Sequence, residues 1–376
     1  ILVARLLGPE LYGLYALSFV IPQMLFLFTD FGISQGLVKF ASSLRVKGET
    51  SHVVKIIKYG MLLRASVGLV IFLVNFAFAD FFAAAFLRRP DLGFYIRIAS
   101  TSIIFQVICT TATSAYVGLD KAEYSALTTD IQAVSKAIIS IALVLAGFSV
   151  AGAVLGYVAG FIVGGVIGSS ILLLMLRKST KNSDDNVDFT QSFKTLMSYG
   201  IPLYMSILLV GFIPPYQNLI LAIFTTDVDI GNFKAAANFI TLITVVSVPI
   251  TTTLLPAFSK LNSTTNEKTK TFFKFANKYT ALLIVPIATL IIIFSNEIVQ
   301  IIYGSTYQTA AFFLSIYCLL YLLVGLGYLT LTSLFNGLGE TRITLKTSLI
   351  TFLVIIILSP LLAQAYGVPG LSLIHI

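Results

Sequence analysis

The chain has 376 residues, of which 57% are hydrophobic and only 11% charged, with a formal net charge of +8. A soluble domain needs about 25% charged residues to solvate its surface, so a water-facing globular protein is excluded. The positive excess is read as basic loops flanking membrane helices, and no nucleic-acid partner is expected.

Mean hydropathy is +0.95, and uncharged runs of about 20 residues match the ~30 Å hydrocarbon core of a bilayer. Hydrocarbon offers the backbone no hydrogen bonds, so spanning segments are helices or closed barrels. These runs lack the two-residue alternation of a barrel. The expected fold is therefore all-α, a polytopic membrane bundle of about 12 transmembrane helices. In chain order the spans are a remnant at 1–7, then 12–37, 57–79, 92–117, 127–147 and 150–176. A second set covers 196–223, 232–255, 277–295, 308–335 and 344–365, with a last one starting at 368. The chain opens at Ile1 and stops at Ile376 inside apolar runs, so the first and last helices are expected to be truncated.

Sorting the connections alternately places nineteen of the 24 Lys and Arg residues on one side and five on the other. The basic side, holding Lys39, Arg45, Lys121, Arg177 and Lys268 among others, is expected to be cytoplasmic. A multi-pass protein of the cytoplasmic membrane follows.

The chain also repeats itself at a shift of about 218. Gly13-Leu14-Tyr15 lies over Gly231-Asn232-Phe233, Phe40 over Phe258, Gly118-Leu119 over Gly337-Leu338, and Val150-Ala151-Gly152 over Val368-Pro369-Gly370. Two six-helix pseudo-repeats of like orientation are expected, with their axis along the membrane normal, as in transporters. This divides the chain into an N-terminal lobe (1–176), a cytoplasmic linker (177–195) and an incomplete C-terminal lobe (196–376).

No nucleophile elbow, phosphate-binding glycine loop or metal-ligand cluster occurs, and the longest hydrophilic connections span only about 20 residues. No catalytic residue, metal or cofactor is expected. Cys109, Cys318, His52 and His375 have no companions at motif spacing. Asn262-Ser263-Thr264 matches a glycosylation pattern but falls on the cytoplasmic side.

Other patterns bear on a path through the bilayer. Gly152, Gly156, Gly160, Gly164 and Gly168 recur every fourth residue, which marks one close-packing helix face. Pro202, Pro214 and Pro215 are expected to interrupt the seventh span beside Gln217 and Asn218. Gln106, Thr110 and Thr113 form one polar stripe, and Asn238, Thr241 and Thr244 another; such stripes line water or join helices. Ionisable residues inside apolar spans are costly and point to function. Asp30 is read deep in the second span and Arg64 inside the third, whereas Lys39, Arg97, Asp130 and Lys136 are read as near helix ends. Segments 48–58 and 266–276 fit either interfacial amphipathic helices or extensions of the helices that follow.

The stretch Ala4-Arg5-Leu6-Leu7-Gly8-Pro9-Glu10, with Tyr12-Gly13-Leu14-Tyr15, resembles the first extracellular turn of Wzx-type oligosaccharide flippases. These belong to the multidrug/oligosaccharidyl-lipid/polysaccharide exporter superfamily. Asp30-Phe31-Gly32-Ile33-Ser34-Gln35-Gly36, Pro256-Ala257-Phe258-Ser259-Lys260-Leu261 and Ile302-Tyr303-Gly304 resemble later turns of that family. The resemblance implies two lobes around a central cavity, alternating access, and a polyprenyl-diphosphate-linked oligosaccharide as cargo. It implies a flippase and no enzyme, working with membrane lipids and beside glycan polymerase or ligase machinery; coupling to H+ or Na+ stays open.

Within that picture Arg64 and Lys39 are expected to receive the diphosphate at the cytoplasmic mouth. Gln106, Asn218 and Asn238 offer hydrogen bonds to sugars, and Asp30 couples to an ion or to Arg64. The rival readings are a cation-coupled multidrug exporter of the same superfamily and a membrane enzyme of glycan assembly.

Overall fold

Backbone groups within hydrocarbon must be satisfied inside their own segment, and every regular element of the computed structural model is helical. The structure describes residues 1–179, 189–261 and 266–374. His375, the Asn262-Ser263-Thr264 pattern and linker residues 180–188 lie outside them.

The first half contains α1 (Leu2–Leu17), α2 (Val20–Leu27), α3 (Ile33–Val46), α4 (Thr50–Ala77) and α5 (Ala79–Ala85). A 3-10 turn at Pro90–Leu92 leads into α6 (Gly93–Ser100), α7 (Ser102–Gly118), α8 (Ala122–Leu143) and α9 (Ser149–Ser179). The second half contains α10 (Phe189–Phe224), α11 (Asp227–Leu261), α12 (Asn266–Ile293), α13 (Ser295–Tyr303) and α14 (Ala310–Leu322). It closes with α15 (Tyr328–Gly337), α16 (Thr341–Tyr366) and α17 (Val368–Leu373).

By length and apolarity, eight helical runs among the described residues can cross a membrane, or nine if α14 and α15, bent by 49°, form one span. Counting continuous runs merges spans that the chain geometry separates. The run Ala122–Arg177 has 56 residues, about 84 Å as one rod, far beyond the ~30 Å core. It is two helices. Gly147 (φ 93°) and Ser149 (φ 48°) turn the chain between α8 and α9, which then pack along their length. The chain is a multi-pass membrane protein.

Several local expectations need correction. Span 12–37 is not one helix: α1 ends at Leu17, α2 covers Val20–Leu27, and Asp30 lies in the turn before α3. Pro202, Pro214 and Pro215 do not end the seventh span, which is helical from Phe189 to Phe224. Segments 48–58 and 266–276 are not separate surface helices. They lead into α4 and α12, and Val53, Val54, Ile56 and Ile57 are buried in a cluster with Leu37, Ala115 and Leu176. Lys136 is well inside α8 rather than near its end.

The chain forms two compact units. The first comprises residues 1–16 and 220–376, the second residues 17–219. Their bounds differ from those of the sequence lobes; a repeat is a likeness of segments, a compact unit a fact of packing.

In the first unit, α1 and the start of α11 approach so closely that no Cβ would fit. A methyl on Gly13 would collide with the carbonyl of Asp227, and one on Gly231 with the carbonyl of Pro9. A shift of 218 maps Gly13 onto Gly231 and Pro9 onto Asp227. Each repeat's glycine thus meets the other repeat's backbone at the equivalent place, which is the reciprocity a two-fold axis demands.

In the second unit the glycine stripe of α9 meets α8 in register. Gly156 faces Ser140, Gly160 faces Lys136, Gly164 faces Gln132 and Gly168 faces Thr128. Without the hydrophobic effect to drive helices together in lipid, close backbone contact supplies the attraction. Tyr116 closes one end of the seam by donating its hydroxyl to the Gly168 carbonyl at 2.7 Å.

Candidate functional site

The break between α2 and α3 creates the charged centre of the second unit. Phe31 (φ 45°) and Gly32 (φ 79°) adopt left-handed backbone, a conformation that costs glycine little. The freed groups are then re-satisfied. Tyr204 of α10 donates to the Leu27 carbonyl at 2.9 Å, and Thr29 donates to the Phe26 carbonyl at 2.7 Å. The Ser34 amide donates to Asp30 Oδ1 at 2.9 Å, which sets the carboxylate at the amino end of α3, where the helix dipole favours it.

Arg64 reaches this turn from the middle of α4. Its Nε lies 3.6 Å from Asp30 Oδ1, and a terminal guanidinium nitrogen donates to Ser34 Oγ at 2.7 Å. The residue is 1% exposed, and its Nε has no hydrogen-bond acceptor. The structure therefore brings Asp30 and Arg64 together, with the guanidinium buried against Ser34. Lys39, further along α3 from Ser34, is exposed, with its ammonium 5.6 Å from the Phe40 ring centroid.

The polar stripe of α7 turns inward on its own helix. Thr110 donates to the Gln106 carbonyl at 2.8 Å and Thr113 to the Thr110 carbonyl at 3.0 Å, leaving the half-buried Gln106 amide as the stripe's versatile group. Asn218 is buried on α10 beside Gln217, whose Nε2 has no partner. Arg97, read as a helix-end residue, is ion-paired to Asp80.

Asn238 belongs to the first unit. Its side-chain amide donates to the Tyr12 and Tyr303 hydroxyls, each at 3.1 Å. Around it, Tyr303 donates to the Ala235 carbonyl at 3.3 Å and Tyr307 to the Ala4 carbonyl at 2.6 Å. Asn232 accepts the Ala310 amide at 3.1 Å. Burial pushes the Tyr303 hydroxyl up to about 12, so it stays protonated and keeps its hydrogen bond to the Ala235 carbonyl. Sequence reasoning named Tyr12 and Tyr303 only within the resemblance motifs and did not join them to Asn238, which lies 226 and 65 residues away along the chain.

Each unit also holds a cavity. One, of about 480 Å³, lies in the second unit and is lined by Arg45, Thr50, Val54, Lys121, Tyr124 and Met175 among others. Its cations are engaged: Arg45 with Asp120 at 2.7 Å and Lys121 with Glu123 at 3.6 Å. The other, of about 210 Å³ in the first unit, has Asn296, Gln300, Ser305 and Gln308 in its walls. His52 pairs with Glu49 at 2.6 Å. Among the described residues no three His, Cys, Asp or Glu side chains group as a metal site, and both cysteines are free thiols.

Comparison with known proteins places this geometry. A family profile described as "Polysaccharide biosynthesis protein" matches residues 1–262. An inward-facing multidrug resistance MATE family transporter of the MOP superfamily superposes with a TM-score of 0.77 at 16% identity, covering 99% of this chain and 89% of that one. The lipid II flippase MurJ, in an inward closed conformation, gives 0.72 at 18% identity, covering 99% and 82%. A MOP superfamily transporter from Pyrococcus furiosus gives 0.63 at 16% identity, covering 100% and 90%. At these identities the likeness establishes the fold. No curated protein sequence matches the chain.

Proposed function

Because the chain belongs to the polysaccharide biosynthesis protein family, we propose that it is a flippase of the cytoplasmic membrane. It carries polyprenyl-diphosphate-linked oligosaccharide from the inner to the outer leaflet by alternating access. The observation that carries this reading is the combination of that family with the fold of a lipid II flippase over 99% of the chain.

The chemistry suits the task. A diphosphate and a sugar chain cannot cross hydrocarbon unaided, since a buried charge without partners costs several kcal/mol or more. The polyprenyl tail needs no shelter. Translocation changes no covalent bond, so the protein has only to supply polar partners along the way and to alternate its opening.

In this reading Lys39 meets the headgroup at the cytoplasmic mouth, and the amides of Gln106, Asn218 and Asn238 offer hydrogen bonds to sugar hydroxyls. Asp30 and Arg64 form the coupling element. A proton or sodium ion taken up at Asp30 would leave Arg64 buried without a counter-charge, a state that favours rearrangement of the α2–α3 break. Glycan polymerase or ligase machinery would receive the product on the outer face.

The deciding experiment is translocation of lipid-linked oligosaccharide in proteoliposomes, with and without proton or sodium gradients. Transport by the wild type, abolished in Arg64→Ala without loss of folded protein, is the expected result. A wild type that moves no lipid-linked glycan under any gradient refutes it. The likeness to a MATE family transporter favours a second reading, a cation-coupled exporter of amphipathic compounds. That reading predicts altered toxin sensitivity in a deletion strain, instead of lipid-linked glycan accumulating on the inner leaflet.

A further inference from the structure

The α8–α9 seam holds a cation that packing does not explain. Thr128, Gln132, Lys136 and Ser140 recur every fourth residue and all face glycines of α9. The outer face of α8, with Ala133, Val134, Ala137 and Ile138, is exposed. Lys136 therefore belongs to the packed side of its helix and not to the lipid side. It lies about 20 Å along α8 from its start and about 10 Å from its end, in the body of the span.

Gly160 leaves no room beside the lysine stem, because a Cβ there would collide with Lys136 Cβ. The side chain is pressed along α9 to Tyr157, where the ammonium lies 5.7 Å from the ring centroid. Tyr157 is fixed in turn by α2: its ring lies 4.2 Å from that of Phe19, and its hydroxyl shares a hydrogen bond with the Gln23 side chain.

Arg45, Arg64, Arg89, Arg97 and Lys121 each have a carboxylate within 4.0 Å. Lys136 has none among the described residues. A methionine would fill the same seam without the cost of an ammonium inside the bilayer, and such residues mark function by default. A cation held on an aromatic face keeps its N–H donors for a further ligand. With Arg64 buried against Asp30 and Ser34, Lys136 is a cation in the body of a span of the second unit that is placed to bind an anion.

We infer that Lys136, seated on Tyr157 beside Gln23, holds the phosphate groups of an anionic lipid cargo inside the membrane. This rests on the flippase reading for the identity of the cargo; the chemistry recognised is a phosphate or diphosphate ester, with the Gln23 amide as second donor.

The test is binding of undecaprenyl diphosphate, with undecaprenol as the uncharged control, to full-length protein in phosphatidylcholine nanodiscs. Lys136→Met should weaken diphosphate binding roughly tenfold or more and leave undecaprenol binding unchanged. Lys136→Arg should restore most of the affinity. Thermal unfolding of Lys136→Met at or above the wild-type temperature shows that the loss is one of charge and not of fold.

Wild-type diphosphate affinity in Lys136→Met overturns the assignment, as does an equal loss for both lipids. Discs containing phosphatidylglycerol separate the sources: if that lipid competes as well as undecaprenyl diphosphate, the site serves bulk lipid and the cargo assignment falls. Lys136-dependent diphosphate binding in a protein that flips no glycan would support the site and count against the flippase reading alone.

Discussion

Asp30→Asn removes one negative charge and almost no volume from the α2–α3 break, leaving Arg64 buried without its partner. Charges 3.6 Å apart attract by about 4–5 kcal/mol at an effective dielectric near 20. Breaking a buried pair from one side costs about 3–5 kcal/mol. For a unit of this size each kcal/mol moves the unfolding temperature by about 2–4 °C, so a fall on the order of 10 °C is expected. Replacing both members, Asp30→Asn with Arg64→Met, removes the orphaned charge and should recover most of that loss.

The chain has no tryptophan, but it carries its own reporter. Cys109 and Cys318 are 3% and 0% exposed and free, so a thiol-reactive dye stays dark on the folded protein and lights as it unfolds. If Asp30→Asn melts within about 2 °C of wild type, or the double variant is no better than the single, the pair does not stabilise the fold and the reasoning fails.

Further expectations concern packing and the first unit. Gly156→Val drives a branched side chain into the backbone of Ser140 and should sharply reduce monodisperse protein on size-exclusion chromatography. Gly325→Ala, where a Cβ meets nothing within 4 Å, should match wild type in the same assay. Asn238→Ala removes a donor shared by Tyr12 and Tyr303 and should cost about 1–2 kcal/mol. Combined with Tyr12→Phe its effect should be less than additive, and full additivity in thermal unfolding would show that the contact is idle.

Hydropathy made the helical membrane architecture legible because bilayer thickness and backbone desolvation act on each span separately. The glycine stripe was legible too, since spacing by four is a property of one helix. Its partner was not. Thr128, Gln132, Lys136 and Ser140 share that spacing, but only the antiparallel turn at Gly147 and Ser149 shows that the two stripes meet. The break at Asp30 was hidden because Phe31, not glycine, takes the first left-handed position. Pro214 and Pro215 lie inside α10, which continues past them to Phe224. Asp30 and Arg64 were both singled out by the cost of charge in lipid. That Arg64 would be sealed by Ser34 depends on rotamers, on which composition and spacing are silent.

The paired close approach of Gly13 to Asp227 and Gly231 to Pro9 has a meaning beyond packing. Two surfaces that fit each other through the same residues in both directions are what a homodimer presents, so this contact has the form of a subunit interface enclosed within one polypeptide. A bulky residue introduced at one glycine would disturb one arm of that self-complementary contact. The other arm joins the same two helix turns, Pro9 to Gly13 on α1 and Asp227 to Gly231 on α11, so both arms would yield together.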